Sequence, residues 1–188
     1  MDPLEIVPFF FFHPRGVLER LCATLRDRFG AEVRLRTPWF DPEVAFDPGR
    51  GQYRASTLLR CLLDDPTGAR GRVLGITGVD LFNPVLTYVF GEAQLADRGA
   101  VVSSRRLRPE MYGLPEDLAL LQARLDTEAV HELGHTWGLI HCLDPMCVMH
   151  ASSYVEDIDL KESRFCSGCL RTIRSAPVAP LDRPGGRC

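Results

Sequence analysis

A pair of histidines near residue 135 constrains this chain more than any other feature of its sequence. His131 and His135 stand four residues apart in a segment with helical apolar spacing, so their imidazoles project from one face of a predicted helix. The apolar residues of that helix are Leu118, Leu121, Leu125, Ala129, Val130 and Leu133. Pro115 and the two acidic residues after it predict where the helix starts, and Gly138 predicts where it stops. Two imidazoles in this arrangement can share one metal ion.

His141 completes a set of three histidines if the helix ends before it. Six residues on a continuous helix turn a side chain by about 600°, which leaves His141 roughly 120° away from the face of His135. Gly138 lies where the break has to occur, because glycine adopts the left-handed C-cap conformation at little cost. Three histidines plus one water form the open tetrahedral arrangement typical of catalytic zinc. The alternative is a set of ordinary helix-surface histidines with a simple glycine cap.

Glu132 follows His131 directly and indicates the chemistry of such a site. From that position a carboxylate can reach a metal-bound water from the side without taking a ligand position. Zn²⁺ lowers the pKa of its water to about 7, and a carboxylate can take the proton as the hydroxide attacks a carbonyl. We therefore predict a catalytic zinc held by the three histidines, with Glu132 as the general base.

Four of the seven cysteines form two closely spaced pairs. Four residues separate Cys142 from Cys147, and two separate Cys166 from Cys169, a spacing common in tetrahedral thiolate sites. We predict that these cysteines hold a structural zinc, which would tie the loop after His141 to the C-terminal segment. Two disulfides or free buried thiols are the alternatives.

The combined pattern resembles the metzincins, whose extended zinc motif is followed by a methionine-containing turn, and within them the archaemetzincins. The archaemetzincin pattern continues after the third histidine through two cysteines, a methionine and a later Cys-x-x-Cys pair, matched here by Cys142, Cys147, Met149, Cys166 and Cys169. The segment DLFNPVLTYVFGEAQ at Asp80–Gln94 is also similar to the family. The resemblance covers roughly Arg72 to Cys169.

This resemblance implies a zinc-dependent peptidase with two zinc ions per chain, one catalytic and one structural. It implies an aminopeptidase acting on short peptides as one form of that activity. It also makes Met149 the hydrophobic floor beneath the catalytic zinc, for which a plain core methionine is the alternative. The resemblance also implies that the Val85–Phe90 strand and the adjoining Gly91–Ala93 segment together form the sheet edge that holds the peptide in extended form. An ordinary interior strand is the alternative.

Two other functions stay open at this point. One is a zinc-stabilised binding or scaffold protein with little or no peptidase turnover, although a purely structural site needs no base such as Glu132. The other is a zinc hydrolase that acts on an amide other than a peptide, for which the sequence would look identical.

The rest of the sequence predicts a mixed α/β (α+β) fold. Two helices and five strands precede the histidine helix, with helix patterns at Val17–Phe29 and Tyr53–Asp64 and strand patterns at Leu4–Phe10, Glu32–Arg36, Arg72–Val79, Val85–Phe90 and Ala100–Ser104. This order favours a twisted mixed sheet with helices packed on it. The resemblance implies that this sheet is metzincin-like, with an active-site helix and a zinc-braced C-terminal segment. We expect a single domain over residues 1–175 and a disordered tail at residues 176–188.

Charge and hydropathy argue against several classes of partner. The 22 basic and 25 acidic residues give a net charge of −3, which leaves no basic excess for binding nucleic acid. The apolar run Ile6–Phe12 is far below the roughly 20 residues needed to span a bilayer, and acidic residues precede it, unlike in a secretory signal. We therefore expect a cytoplasmic monomer that acts on peptide substrates and binds neither nucleic acid nor membrane.

Overall fold

The structure is a computed structural model that describes residues 3–68 and 71–175. The tail predicted at residues 176–188 lies outside the described residues. The strands are β1 (Leu4–Phe9), β2 (Val33–Leu35), β3 (Phe46–Asp47), β4 (Gln52–Arg54), β5 (Arg72–Thr77), β6 (Leu81–Phe82), β7 (Gly91–Ala93) and β8 (Gly99–Ser103). The helices are α1 (Arg15–Phe29), α2 (Ala55–Leu63), α3 (Leu118–Thr136), α4 (Val155–Asp159) and α5 (Ser167–Ser175). Short 3₁₀ helices lie at Pro42–Ala45, Arg105–Leu107 and Pro109–Tyr112.

The main sheet has five strands in the order β2-β1-β5-β8-β7. The first four run parallel, and β7 pairs antiparallel with β8 at one edge. The central strand β5 is buried along its whole length, as expected of a parallel strand covered on both faces. A second, small sheet joins β3, β4 and β6. The predicted mixed α/β fold is confirmed.

Helices cover both faces of the main sheet. Leu74 and Ile76 of β5 pack into the same apolar cluster as Leu25 of α1 and Leu125 of α3. The neighbouring Val73 points to the other face, into a cluster built around α2. The strand period of two therefore assigns α1 and α3 to one layer and α2 to the other. No helix in the described part of the chain has the length and apolar character needed to cross a bilayer.

The predicted strand at Val85–Phe90 is wrong. The side chain of Asn83 accepts hydrogen bonds from the backbone N–H groups of Val85 (3.0 Å) and Leu86 (2.8 Å), which turns the chain and keeps these amides out of a ladder. Val85 is 90% exposed. Only Val89 forms an isolated bridge, to Leu81. The strand at this edge of the main sheet is β7 (Gly91–Ala93), which directly follows the segment.

The histidine helix α3 starts later than Pro115. The side chain of Asp117 accepts hydrogen bonds from the backbone N–H groups of Ala119 and Leu120, both at 2.9 Å. This is an N-cap, so the helix begins at Leu118 rather than at the proline.

Candidate metal centre

The end of α3 turns the chain back towards the helix. Gly138 has φ +84°, its N–H donates to the carbonyl of His135 at 2.9 Å, and Leu139 N–H donates to the carbonyl of Gly134 at 3.2 Å. This pair of bonds is the Schellman motif, which satisfies the last helix carbonyls while reversing the chain. The break predicted at Gly138 is therefore where the helix ends.

The reversal brings the three predicted histidines together. One ring nitrogen from each of His131, His135 and His141 lies within 4.8 Å of the others. The Nε2 atoms of His131 and His135 are 3.1 Å apart. A tetrahedral zinc site with Zn–N bonds of about 2.0–2.1 Å has nitrogen atoms separated by about 3.4 Å, so the donor set fits this metal.

Backbone carbonyls orient two of the rings. Nδ1 of His131 lies 2.8 Å from the carbonyl of Val148, and Nδ1 of His135 lies 2.7 Å from that of Leu139. Because a carbonyl only accepts, each Nδ1 carries the proton and each Nε2 keeps a lone pair for a metal. Burial lowers the pKa of both imidazoles, which favours the neutral form that a metal ligand requires.

Glu132 lies beside a second buried carboxylate. Glu132 is 6% exposed, and Glu128, one turn earlier on α3, is 4% exposed. Burial has the largest effect on Glu132 and, together with the negative charge of Glu128, raises its pKa well above the ordinary value. The positive charge of Lys161 lowers this pKa but does not outweigh the other two effects. A raised pKa suits a carboxyl group that takes up and releases a proton near neutral pH.

Lys161 and Glu128 were not identified from the sequence. Lys161 is almost fully buried; its Nζ donates to the carbonyl of His150 at 2.8 Å and lies 3.5 Å from Nδ1 of His131. Its charge faces the two carboxylates of α3. Glu128 could have been identified, because it falls within the apolar helical register of α3, and a carboxylate is rarely buried there unless it is paired or functional. For Lys161 the flanking sequence carries no comparable signal.

Two glycines permit close packing around the site. A Cβ on Gly134, between the two helix histidines, would lie 2.4 Å from Sδ of Met149. Met149 is fully buried, and its side chain packs directly against the backbone of α3 at Gly134, where no side chain intervenes. A Cβ on Gly91 would lie 2.6 Å from Cγ of Glu132. Strand β7 therefore passes immediately beside the carboxylate.

The four predicted cysteines converge on a second centre. Their Sγ atoms lie within 4.8 Å of one another, and those of Cys142 and Cys166 are 3.8 Å apart. That is the separation of about 3.8 Å expected between thiolates in a tetrahedron with Zn–S bonds of about 2.3 Å, and far beyond the S–S bond of about 2.05 Å in a disulfide. A backbone hydrogen bond from Cys169 lowers the pKa of Cys166 to about 7, whereas burial raises the pKa of Cys147 and Cys169, so Cys166 is the thiol that ionises first. The residues fit zinc.

A helix that presents two histidines and an intervening glutamate is the architecture of zinc-dependent peptidases. Comparison with known proteins agrees. The chain matches Peptidase family M54 over residues 55–175. It is 44% identical over 137 residues to the archaemetzincin of Methanocaldococcus jannaschii, an alignment that covers 73% of this chain and 74% of that protein. The chain belongs to peptidase family M54, the archaemetzincins, and is a zinc metallopeptidase.

Solved structures support the same assignment. The crystal structure of archaemetzincin from Methanopyrus kandleri matches with a TM-score of 0.80 and 36% identity, covering 92% of this chain and 93% of that one. A zinc-dependent peptidase from Methanocorpusculum labreanum matches with a TM-score of 0.79 and 27% identity, covering 90% of this chain and 99% of that one. The predicted resemblance to archaemetzincins is confirmed.

Proposed function

We propose that the chain is a metzincin-type peptidase in which His131, His135 and His141 hold a catalytic zinc and Glu132 is the general base. The observation that carries this proposal is the convergence of three histidine nitrogens at the end of the helix that carries a buried glutamate. When bound, zinc supplies a Lewis acid that lowers the pKa of a coordinated water to about 7. The metzincin type is supported by Met149, which packs beneath the histidine helix at Gly134.

Glu132 takes and returns the proton in this proposal. Because its pKa is raised by burial and by Glu128, the carboxylate can accept a proton from the attacking water and hold it. The protonated carboxyl group then donates to the nitrogen of the leaving amine. Gly91 leaves room for this side chain between α3 and β7.

The outer edge of β7 is suited to an extended peptide. Ser103 N–H donates to the carbonyl of Phe90, and Gln94 N–H donates to the carbonyl of Gly99. By the two-residue alternation of a strand, the backbone groups of Gly91 and Ala93 then face away from the sheet. A peptide can pair with them by adding a strand, and such a peptide would pass beside Glu132.

We further propose short peptides as substrates, with aminopeptidase activity as the form that the family resemblance implies. The hydroxyl of Tyr88 donates to the carbonyl of Ser153 at 3.1 Å. This bond ties the segment that enters β7 to the segment that follows Met149.

The proposal includes a second zinc at the cysteine cluster, hence two ions per chain. It treats residues 1–175 as one domain that acts as a cytoplasmic monomer. A thiolate metal site at these cysteines fits a reducing compartment, where such sites persist and disulfides are rare.

The proposal is tested by metal analysis together with hydrolysis of a mixed peptide library. Wild type and Glu132→Gln should each contain two zinc ions, and only wild type should cleave. Mass spectrometry of the products distinguishes removal of single N-terminal residues from internal cleavage. Glu19→Gln, at an exposed position on α1, is the matched control and should cleave like wild type. Zinc without turnover on any peptide would instead favour a zinc-stabilised binding protein.

A further inference from the structure

We propose that the four-cysteine cluster positions the catalytic histidines, so that metal binding at either centre strengthens metal binding at the other. Cys142 and Cys147 are the positioning residues. The inference rests on the proposed function only in assigning metal to both centres. It concerns binding, and it holds whether or not a peptide is cleaved.

The first connection is at His141. Unlike the two helix histidines, its ring has no carbonyl partner in the described part of the chain, and its side chain is exposed. The next residue, Cys142, is well anchored: its N–H donates to the carbonyl of Met149 at 2.9 Å, and its carbonyl accepts from Nδ1 of His150 at 2.9 Å. The location of His141 therefore depends on Cys142.

The second connection is at His131. Its ring is oriented by the carbonyl of Val148, and Val148 directly follows Cys147. Cys147 is 1% exposed, and its sulfur accepts a hydrogen bond from the backbone N–H of Cys166 at 3.3 Å. Val148 N–H in turn donates to the carbonyl of Arg164 at 2.8 Å. A shift of Cys147 would move the carbonyl that fixes the tautomer and direction of His131.

The third connection closes the loop between the two cysteines. The bond from Cys142 N–H to the carbonyl of Met149 joins the two ends of the segment 142–149. Met149 packs against Gly134, between the helix histidines. A metal held by all four thiolates would fasten this loop to Cys166 and Cys169 at the start of α5. The same loop carries the carbonyl of Val148 that orients His131 and the side chain of Met149 that packs against Gly134.

Coupling follows from the shared loop. Ordering a segment costs conformational entropy. The metal that binds first orders the loop, so the second metal binds with a smaller loss of conformational entropy. The coupling is reciprocal, because one interaction free energy links both binding events. Disturbing the outer-shell support of a metal ligand typically lowers affinity by about 10- to 100-fold, and we expect an effect of that size.

Cobalt titration of the metal-free full chain tests this, because Co²⁺ bound by thiolates gives intense sulfur-to-metal charge-transfer bands that cobalt bound by nitrogen and oxygen lacks. The variant is Cys169→Ser, which disables the cluster at a residue far along the chain from His141 and Val148. Cobalt affinity at the histidine centre, measured against a competing chelator, should fall about 10- to 100-fold. Cys61→Ser, which removes a thiol outside the cluster, is the control and should leave both affinities unchanged.

The reciprocal variant His135→Ala separates positioning from general stabilisation. His135 lies on the helix, outside the cysteine loop, yet its loss should weaken cobalt binding at the thiolate centre by the same factor. If either variant leaves the other centre's affinity unchanged, the two sites are independent and the proposal is wrong. If Cys169→Ser fails to fold, His135→Ala decides alone. A protein with coupled sites and no hydrolysis would contradict only the proposed function.

Discussion

A glycine inside a helix normally costs about 1 kcal/mol relative to alanine, yet Gly134 lies between the two histidines of α3. An added Cβ there would lie 2.4 Å from Sδ of Met149 and 3.2 Å from a ring carbon of Phe165. Because Met149 is fully buried, its side chain has little room to move. Gly134→Ala should destabilise the protein by about 1–3 kcal/mol, the usual cost of overpacking, and weaken zinc retention. Urea unfolding and metal analysis measure the two effects.

The control for that substitution is Gly16→Ala in α1. A Cβ at Gly16 would meet nothing within 4 Å, so the ordinary helix preference should apply and stability should rise by up to about 1 kcal/mol. Opposite signs at the two glycines are expected. A gain in stability at both would mean that the contact with Met149 does not constrain the helix.

Asp65 gives a pH dependence with a definite sign. Arg36 donates to its carboxylate at 2.6 Å, and the N–H of Thr67 donates at 2.9 Å. Burial alone would raise the pKa of Asp65, but these hydrogen bonds outweigh burial and hold the pKa at about 2. An unfolded Asp has a pKa of about 3.9. The stabilisation is therefore complete above that value and is lost as the pH falls towards 2.

Asp65→Asn should accordingly lower the free energy of unfolding by about 1.5–2.5 kcal/mol at pH 7 and by much less at pH 2, where the folded carboxyl group is about half protonated. Denaturant unfolding at the two pH values measures the difference. The exposed substitution Glu19→Gln should stay within about 0.5 kcal/mol of wild type at both. An equal loss for Asp65→Asn at both pH values would contradict the ion-pair explanation.

At the scale of elements, Arg72 joins the start of β5 to the end of α3. Its guanidinium lies 3.8 Å from the ring centre of Trp137 and donates to the hydroxyl of Thr136 at 3.1 Å. The ring of Phe29 in α1 stacks on the ring of Trp137, and the two ring centres are 4.5 Å apart. The arginine thus holds the helix end from which the chain turns at Gly138.

Arg72→Met should cost about 2–4 kcal/mol, because it removes a buried cation–π contact and leaves a helix-end group without its donor. Arg72→Lys should recover only part of this, since lysine lacks the planar fork. Thermal unfolding and zinc content measure both variants. Full recovery by lysine would show that charge alone, rather than stacking, holds this end of α3.

The elements differ in how far the sequence predicts them. Helix α3 was predictable because its apolar period, its acidic start and Gly138 give consistent local signals. Strand β7 has only three residues and is defined by its pairing with β8, which no local pattern reveals. Val85–Phe90 has strand propensity, but the side chain of Asn83 binds its first amides.

The same contrast applies to the candidate site. The histidines and cysteines were predictable because a metal requires particular residue types at particular spacings. The approach of Met149 to Gly134 and of Lys161 to His131 joins residues 15 and 30 positions apart. Such contacts depend on how α3 packs against the segment after it, and sequence spacing alone does not determine that.

Across the whole molecule, stability should be distributed unevenly between the sheet and the C-terminal segment. The central strands β1 and β5 are almost completely buried. Helix α5, in contrast, has one buried residue, Ile173, and the half-buried side chains of Cys166, just before it, and Cys169, within it, pack against the core. Its docking should therefore depend on the metal at the cysteine cluster far more than the sheet does.

Removal of zinc by a chelator should release α5 first. Zinc present at about 1,000 times its Kd contributes about 4 kcal/mol to the stability of the state that binds it, and a helix with one buried residue has little else to oppose local opening. Hydrogen exchange with mass spectrometry should show lost protection at Ser167–Ser175 after chelation, while β1 and β5 stay protected. Loss of protection at the same rate throughout would mean that the metal stabilises the whole domain as one cooperative unit. Retained protection of α5 would mean that apolar packing around Ile173 is sufficient to dock this helix, and the bracing role of the cysteines would then be excluded.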